Sequence, residues 1–195
     1  MDGRHISTPQ RHLISFPLGP LRKYIVIFLA VLLCNAAVAT SLRSQNVAAS
    51  TPDARSGWIE GQMLDMINRD RTAPSSLAET RGRARQLQWD AKLAAVAQAH
   101  SEEMARNGFF SHIGSDGSTP AMRVSMAGIQ WRSTGENIAM TSDVAEAETA
   151  FMNEPRFQHN HRGNILNPNY TSVGVGIAKG QDGGLYITQE FAELR

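Results

Sequence analysis

Four side chains have types and positions that could do chemistry together: His112, Glu136, Glu154 and His161. Two imidazoles and two carboxylates are the material of a divalent-metal site. Metal-assisted hydrolysis needs the same set, with a carboxylate as general base toward a metal-bound water. His112 closes Gly-Phe-Phe-Ser-His, a polar loop position after a helix, from which a histidine can reach a ligand. His161 opens His-Arg-Gly-Asn-Ile-Leu-Asn-Pro-Asn-Tyr, directly before a strand expected near Thr171. A histidine pair needs a third group to hold a metal tightly, and an open position if water is to be activated. Glu136 and Glu154 are the candidates. Taken alone, His112 reads as a surface histidine. Glu136 completes a Ser133-x-x-Glu136 pattern that is also a capping box. Glu154, expected at a helix C-terminus, opposes the dipole there and so invites a partner such as a histidine. Of the other histidines, His100 shares an apolar helix face with Leu93, Val96, Ala97 and Met104, and is expected buried and hydrogen-bonded. His159, two positions before His161 in an extended segment, is expected to point the other way and lie exposed. There is no His-Glu-x-x-His, Gly-x-Ser-x-Gly or phosphate loop.

The elements that must position these residues come in two kinds. Helices are predicted from Trp58 to about Arg71, from Asp90 as N-cap to a stop at Gly108, and from Thr119-Pro120 to Gly128. A fourth is predicted from Ser142 as cap to about Glu154, burying Val144, Ala147, Ala150 and Phe151, with Pro155 barring continuation. Residues 72–86 lack a period and read as a loop, and Ser133 to Asn137 read as a polar loop. Two alternating runs, Val173 to Ile177 and Leu185 to Phe191, make a hairpin around a glycine-containing turn. Helices first, strands last and no βαβ repeat predict an α+β fold with an antiparallel sheet.

The chain of 195 residues suits one domain plus an export segment. Arg4, Arg11, Arg22 and Lys23 precede the apolar run Tyr24 to Cys34, and Ala37-Val38-Ala39 has the small-x-small form of a cleavage site. Residues 1–39 are therefore expected to be a signal peptide cleaved after Ala39, with an uncleaved N-terminal membrane anchor as the alternative. Residues 40–56 read as a flexible linker and 57–195 as the folded domain. Cys34 is the single cysteine, and Leu33 before it disfavours lipid attachment. Cleavage leaves no disulfide and no thiol nucleophile, which points to a bacterial exported protein, extracellular or periplasmic. Without residues 1–39 the chain has 15 basic against 17 acidic residues. That balance calls for no nucleic-acid partner, and for membrane contact only through an uncleaved N-terminal segment.

Further motifs occur in order: Ala99-His100-Ser101 with Met104, Phe110-Ser111-His112, Gly135-Glu136-Asn137-Ile138-Ala139, and His161-Arg162-Gly163-Asn164-Ile165-Leu166. Val173-Gly174-Val175-Gly176 and Thr188-Gln189-Glu190-Phe191 follow. Leu64-x-x-Ile67-Asn68-x-x-Arg71 and Leu87-x-Trp89-Asp90 precede. This set resembles the CAP superfamily of cysteine-rich secretory, antigen 5 and pathogenesis-related proteins, most of all its bacterial, cysteine-free SCP-like branch. The resemblance spans roughly residues 60–192 and implies an α-β-α sandwich. It also implies a cleft with two histidines and two acidic residues, in which some members bind a divalent metal such as Zn. His112, Glu136 and His161 match by motif, and Phe151-Met152-Asn153-Glu154 resembles the helix end bearing the second glutamate. Where bacterial relatives often run through Ser-Pro-Gly to His-Arg, this chain interposes Arg156 to Asn160, so the register of Glu154 rests on tertiary structure. Members are associated with sterol and lipid binding, defence and envelope roles. The expectation is an exported binding module taking a metal, a lipid-like molecule or an envelope component. A metal-assisted hydrolase, such as a protease, using Glu136 or Glu154 as base, and a purely structural tetrad are the alternatives.

Overall fold

Asp90 starts the central helix: its carboxylate accepts hydrogen bonds of 2.9 Å from the N–H groups of Lys92 and Leu93, two donors a first turn leaves free. The computed structural model describes residues 54–156 and 159–195, so the expected export segment and the linker up to residue 53 lie outside the described residues. Its elements are α1 (Ala54–Thr72), α2 (Pro74–Thr80), β1 (Gln88–Trp89), α3 (Ala91–Asn107) and α4 (Pro120–Met126). They continue with β2 (Trp131–Thr141), α5 (Val144–Met152), α6 (His161–Leu166), β3 (Ser172–Lys179) and β4 (Leu185–Leu194).

The sheet has the order β1-β3-β4-β2. The hairpin β3–β4 and the pair β2–β4 are antiparallel, while β1 pairs parallel with β3 through Gln88 and Trp89. The expected antiparallel sheet therefore carries a two-residue parallel edge. It arises because Leu87 to Asp90 must run beside β3 to bring α3 onto the sheet. Strand β4 is buried on both faces, and its alternation sorts the layers. Ile187 and Phe191 pack with Met63 and Ile67 of α1, Phe151 of α5 and Ile165 of α6. Ala192 packs with Leu93 and Val96 of α3 and Val124 of α4, and Tyr186 with Met104 of α3. Helices cover both faces, and the architecture is the α-β-α sandwich.

Two glycines set how close one layer comes. A Cβ on Gly174 would lie 2.0 Å from Ala94 N, and one on Gly176 2.1 Å from Gln98 N. Helix α3 thus rests backbone to backbone on β3. Opposite it, Arg71 in the last turn of α1 is fully buried. It donates to the carbonyls of Arg85 and Ile165 at 2.5 Å and of Asn167 at 3.0 Å, binding three chain segments together. Burial without a carboxylate partner lowers its pKa to about 10.

Several expectations need correction. Helix α1 begins at Ala54, inside the expected linker. Residues 74–80 are a helix where a loop was expected, because its buried positions are the polar Ser76 and Thr80, which leave no apolar period. Residues 133–137 belong to β2 and not to a loop, so Ser133-x-x-Glu136 caps nothing. Asp143, not Ser142, caps α5, accepting from Ala145 N at 2.7 Å. Ala150 is exposed, and Glu148 is buried in the α5 interface instead. His161 begins a helix, capped by Asn160, and does not run extended into β3.

Candidate functional site

Gly108, at φ 66°, ends α3 in the left-handed conformation, its N–H bonded to Met104 O. The chain then turns so that the ring of His100, 1% exposed, meets the Ser111 carbonyl at 2.9 Å through Nε2. That contact fixes the loop carrying His112, whose carbonyl also accepts from Arg123 Nη1 of α4 at 3.1 Å. His100 is the buried, bonded histidine expected, and His159 is exposed as expected.

The four candidates form two pairs. His112 Nδ1 lies 2.6 Å from Glu136 Oε1, and His161 Nδ1 lies 2.6 Å from Glu154 Oε1. Glu154 Oε2 also accepts the backbone N–H of His161 at 2.9 Å, and the His161 ring lies against Phe151 with centroids 4.6 Å apart. The interposed residues thus do not carry Glu154 away from His161. A carboxylate accepts, so each Nδ1 is placed to donate, a geometry that leaves Nε2 as the ring atom directed at a ligand. The side chains of His112 and His161 are 46% and 32% exposed, so a ligand can reach them.

The two carboxylates differ. Glu154 is 29% exposed in its side chain and Glu136 only 1%. Burial pushes the Glu136 carboxyl up, but the hydrogen bond from His112, the contact with Glu190 and the charge of Arg123 outweigh it and hold it below the usual range. Arg123 Nη2 donates to Glu136 Oε2 at 2.5 Å and lies 3.9 Å from Glu190 Oε1. Glu190 is opposite Glu136 in the β2–β4 register and fully buried. Its desolvation and the neighbouring Glu136 charge raise its pKa well above the usual range. Sequence reasoning quoted Glu190 within a motif but gave it no role. The available signal was its place in a strand buried on both sides, where an acid is out of keeping.

Strand β2 is at the sheet's edge, and the pairs approach it from the two layers. Glu136 faces α4 and the His112 loop. Asn137, next along, donates to the His161 carbonyl at 3.1 Å, and Asn164 of α6 donates to the Glu136 carbonyl at 3.1 Å. Helix α6 is thereby fastened to the strand carrying Glu136. Among the described residues, no group of three or more His, Cys, Asp or Glu side chains is arranged to hold a metal ion. What the site offers is two part-exposed histidines, each oriented by a carboxylate on its Nδ1.

Comparison with known proteins places these features. The family described as "Cysteine-rich secretory protein family" (CAP) matches residues 64–191. The uncharacterized protein YkwD of Bacillus subtilis is 31% identical over 147 residues, which cover 75% of this chain and 51% of that protein. The chain thus spans about half the length of this curated relative. An extracellular protein containing an SCP domain from Bacillus anthracis, solved by crystallography, aligns with a TM-score of 0.55 and 30% identity, covering 70% of this chain and 41% of that one. An outer surface protein of Borrelia burgdorferi shares the fold at a TM-score of 0.56 and 17% identity, covering 69% and 94%. These structural neighbours are extracellular or surface proteins, and no helix among the described residues is long and apolar enough to cross a membrane. The ordered motifs, the sandwich and the matched span agree: this chain belongs to the CAP superfamily, the family of the cysteine-rich secretory proteins.

Proposed function

We propose that the protein is exported and works as a binding module outside the cell membrane, where the Nε2 atoms of His112 and His161 take a divalent cation such as Zn2+. The observation that carries this reading is the matched pair of 2.6 Å contacts from Nδ1 to carboxylate. A carboxylate on the far nitrogen fixes the tautomer, aims the ring and raises its basicity, which is how metal-ligating histidines are commonly held. With two ligands from this chain, a bound cation would keep coordination positions open to a molecule of the cell envelope, and its charge would supply the attraction for an anionic or carbonyl group there. Phe110 and Ile113, exposed on either side of His112 in the chain, favour a ligand with an apolar, lipid-like part.

Binding is preferred over hydrolysis because the carboxylates are already committed. Both oxygens of Glu136 are engaged, by His112 and Arg123, and both oxygens of Glu154 by His161. A general base needs an oxygen facing the attacking water. Here each acid stands behind its imidazole.

Calorimetric titration of Zn2+ into the purified protein tests the reading. Binding is expected, weakened at least tenfold by His112→Ala and by His161→Ala, about 1.4 kcal/mol each. Absence of binding by the wild type overturns it. If His161→Ala then still lowers the melting temperature by several degrees, the four residues serve the fold. Peptide turnover abolished by Glu136→Gln in a folded protein would make the site hydrolytic.

A further inference from the structure

Three residues of the ordered motifs, Asn137, Asn164 and Gln189, take no part in the histidine–glutamate pairs, yet they form one saturated chain of amides between them. Asn164 Nδ2 donates to the Glu136 carbonyl at 3.1 Å and to Asn137 Oδ1 at 2.9 Å. Asn137 Nδ2 donates to the His161 carbonyl at 3.1 Å and to Gln189 Oε1 at 2.9 Å. Gln189 Nε2 donates to Glu148 Oε2 at 2.8 Å and lies 3.2 Å from the sulfur of Met63. A primary amide has two donor hydrogens, and every one in this chain is used. Asn137 and Gln189 are fully buried, where an amide left unpaired costs about 1–3 kcal/mol.

Such a chain is selective about geometry. Apolar contacts between α6 and β2 would hold at many offsets, because dispersion has no direction. Amides that must each meet two partners hold at one. The contacts also fall at the two positions that matter: the backbone of Glu136, which orients His112, and the backbone of His161. We propose that Asn164 and Asn137, anchored through Gln189, are the positioning residues of the histidine site, fixing α6 against β2 and so setting the placement of one imidazole relative to the other. The proposal rests on the cation-binding reading above for its consequence, but its geometric content stands apart from that reading.

The test compares Asn164→Ala with Ile165→Val on the same helix. Ile165 is fully buried and apolar, so Ile165→Val loosens packing without touching the amides. In the full-length protein, well below the melting temperature of each variant, Asn164→Ala should weaken Zn2+ binding at least tenfold. Ile165→Val should leave it within twofold of wild type. Equal effects of the two variants, or an Asn164→Ala affinity within twofold of wild type, would overturn the proposal. If Asn164→Ala does not fold, Asn164→Ser replaces it, since its hydroxyl is too short to meet both carbonyl partners. A second readout needs no metal: the ring resonances of His112 and His161 in proton–nitrogen spectra should shift or broaden together in the Asn164 variant and not in Ile165→Val. A wild type that fails to bind Zn2+ defeats the cation reading alone. The spectra then decide the positioning role, with unchanged resonances in the Asn164 variant refuting it.

Discussion

Replacing Gly176 by alanine adds one methyl group where the fold has no space for it. The new Cβ would lie 2.1 Å from Gln98 N, 2.2 Å from Ala97 C and 2.4 Å from Gln98 Cα. All three atoms are backbone, so no rotamer change relieves the contact. An ordinary separation of 3.4 Å needs helix α3 to retreat by about 1.3 Å from a close-packed sheet. Overpacking a core costs roughly 1–3 kcal/mol, and a clash confined to backbone belongs at the upper end, near 3 kcal/mol. For a unit of about 140 residues, unfolding entropy of roughly 2.1 cal/mol/K per residue converts that to a fall of about 10 °C in melting temperature. Gly61 is the control, since it lies in helix α1 with nothing within 4 Å of its added Cβ. Alanine there should stabilise by about 0.5–1 kcal/mol, or roughly 2–3 °C, because it lowers the entropy of the unfolded chain and adds no clash. Scanning calorimetry of both variants gives the comparison. A Gly176→Ala melting temperature within 3 °C of wild type would show that α3 does not rest on β3 as described. A loss in Gly61→Ala equal to that in Gly176→Ala would show that the effect is not local.

Three other expectations concern buried charge. Glu148 is 1% exposed, and burial raises its pKa to about 8 against an ordinary 4.5. Between those values the folded chain holds a proton the unfolded chain has lost, so this group's stabilising contribution falls as pH rises from about 4.5 to 8. Glu148→Gln, which keeps an oxygen for Gln189, should flatten that slope and raise melting temperature at pH 8 relative to pH 5, measured by thermal scans across pH. Glu136 has the opposite sign. Its lowered pKa contributes stability above the ordinary carboxylate range that is lost as the pH falls through its folded value. Glu136→Gln should therefore blunt the acid limb of the same profile. Arg71→Lys should cost about 2–3 kcal/mol in urea denaturation, because one ammonium cannot span the carbonyls that the guanidinium meets, and those left over are buried unpaired.

How much could be read in advance differed by element, for physical reasons. Helix α3 was legible from Asp90 to Gly108 because cap, apolar face and stop are all local signals. The hairpin β3–β4 was legible because its alternation is unbroken. Strand β2 was not: Glu136 and Asn137 are polar residues on its two buried faces, kept there by Arg123, His112, Gln189 and Asn164, all distant in sequence. Helix α2 was hidden because its buried Ser76 and Thr80 carry no apolar period, and the burial of Glu148 because its partner Gln189 is on another element.

The sequence by itself determined the helical and strand runs with strong local punctuation, and it singled out two histidines and two glutamates as candidates. Their order with the neighbouring motifs was enough to recognise the family. Only the tertiary structure decided that the four pair as His112 with Glu136 and His161 with Glu154, that Glu154 keeps its partner across the interposed residues, and that Arg123 and Glu190 stand beside Glu136. A hydrogen bond between side chains far apart along the chain depends on where two elements cross, and local propensity carries no information about a crossing.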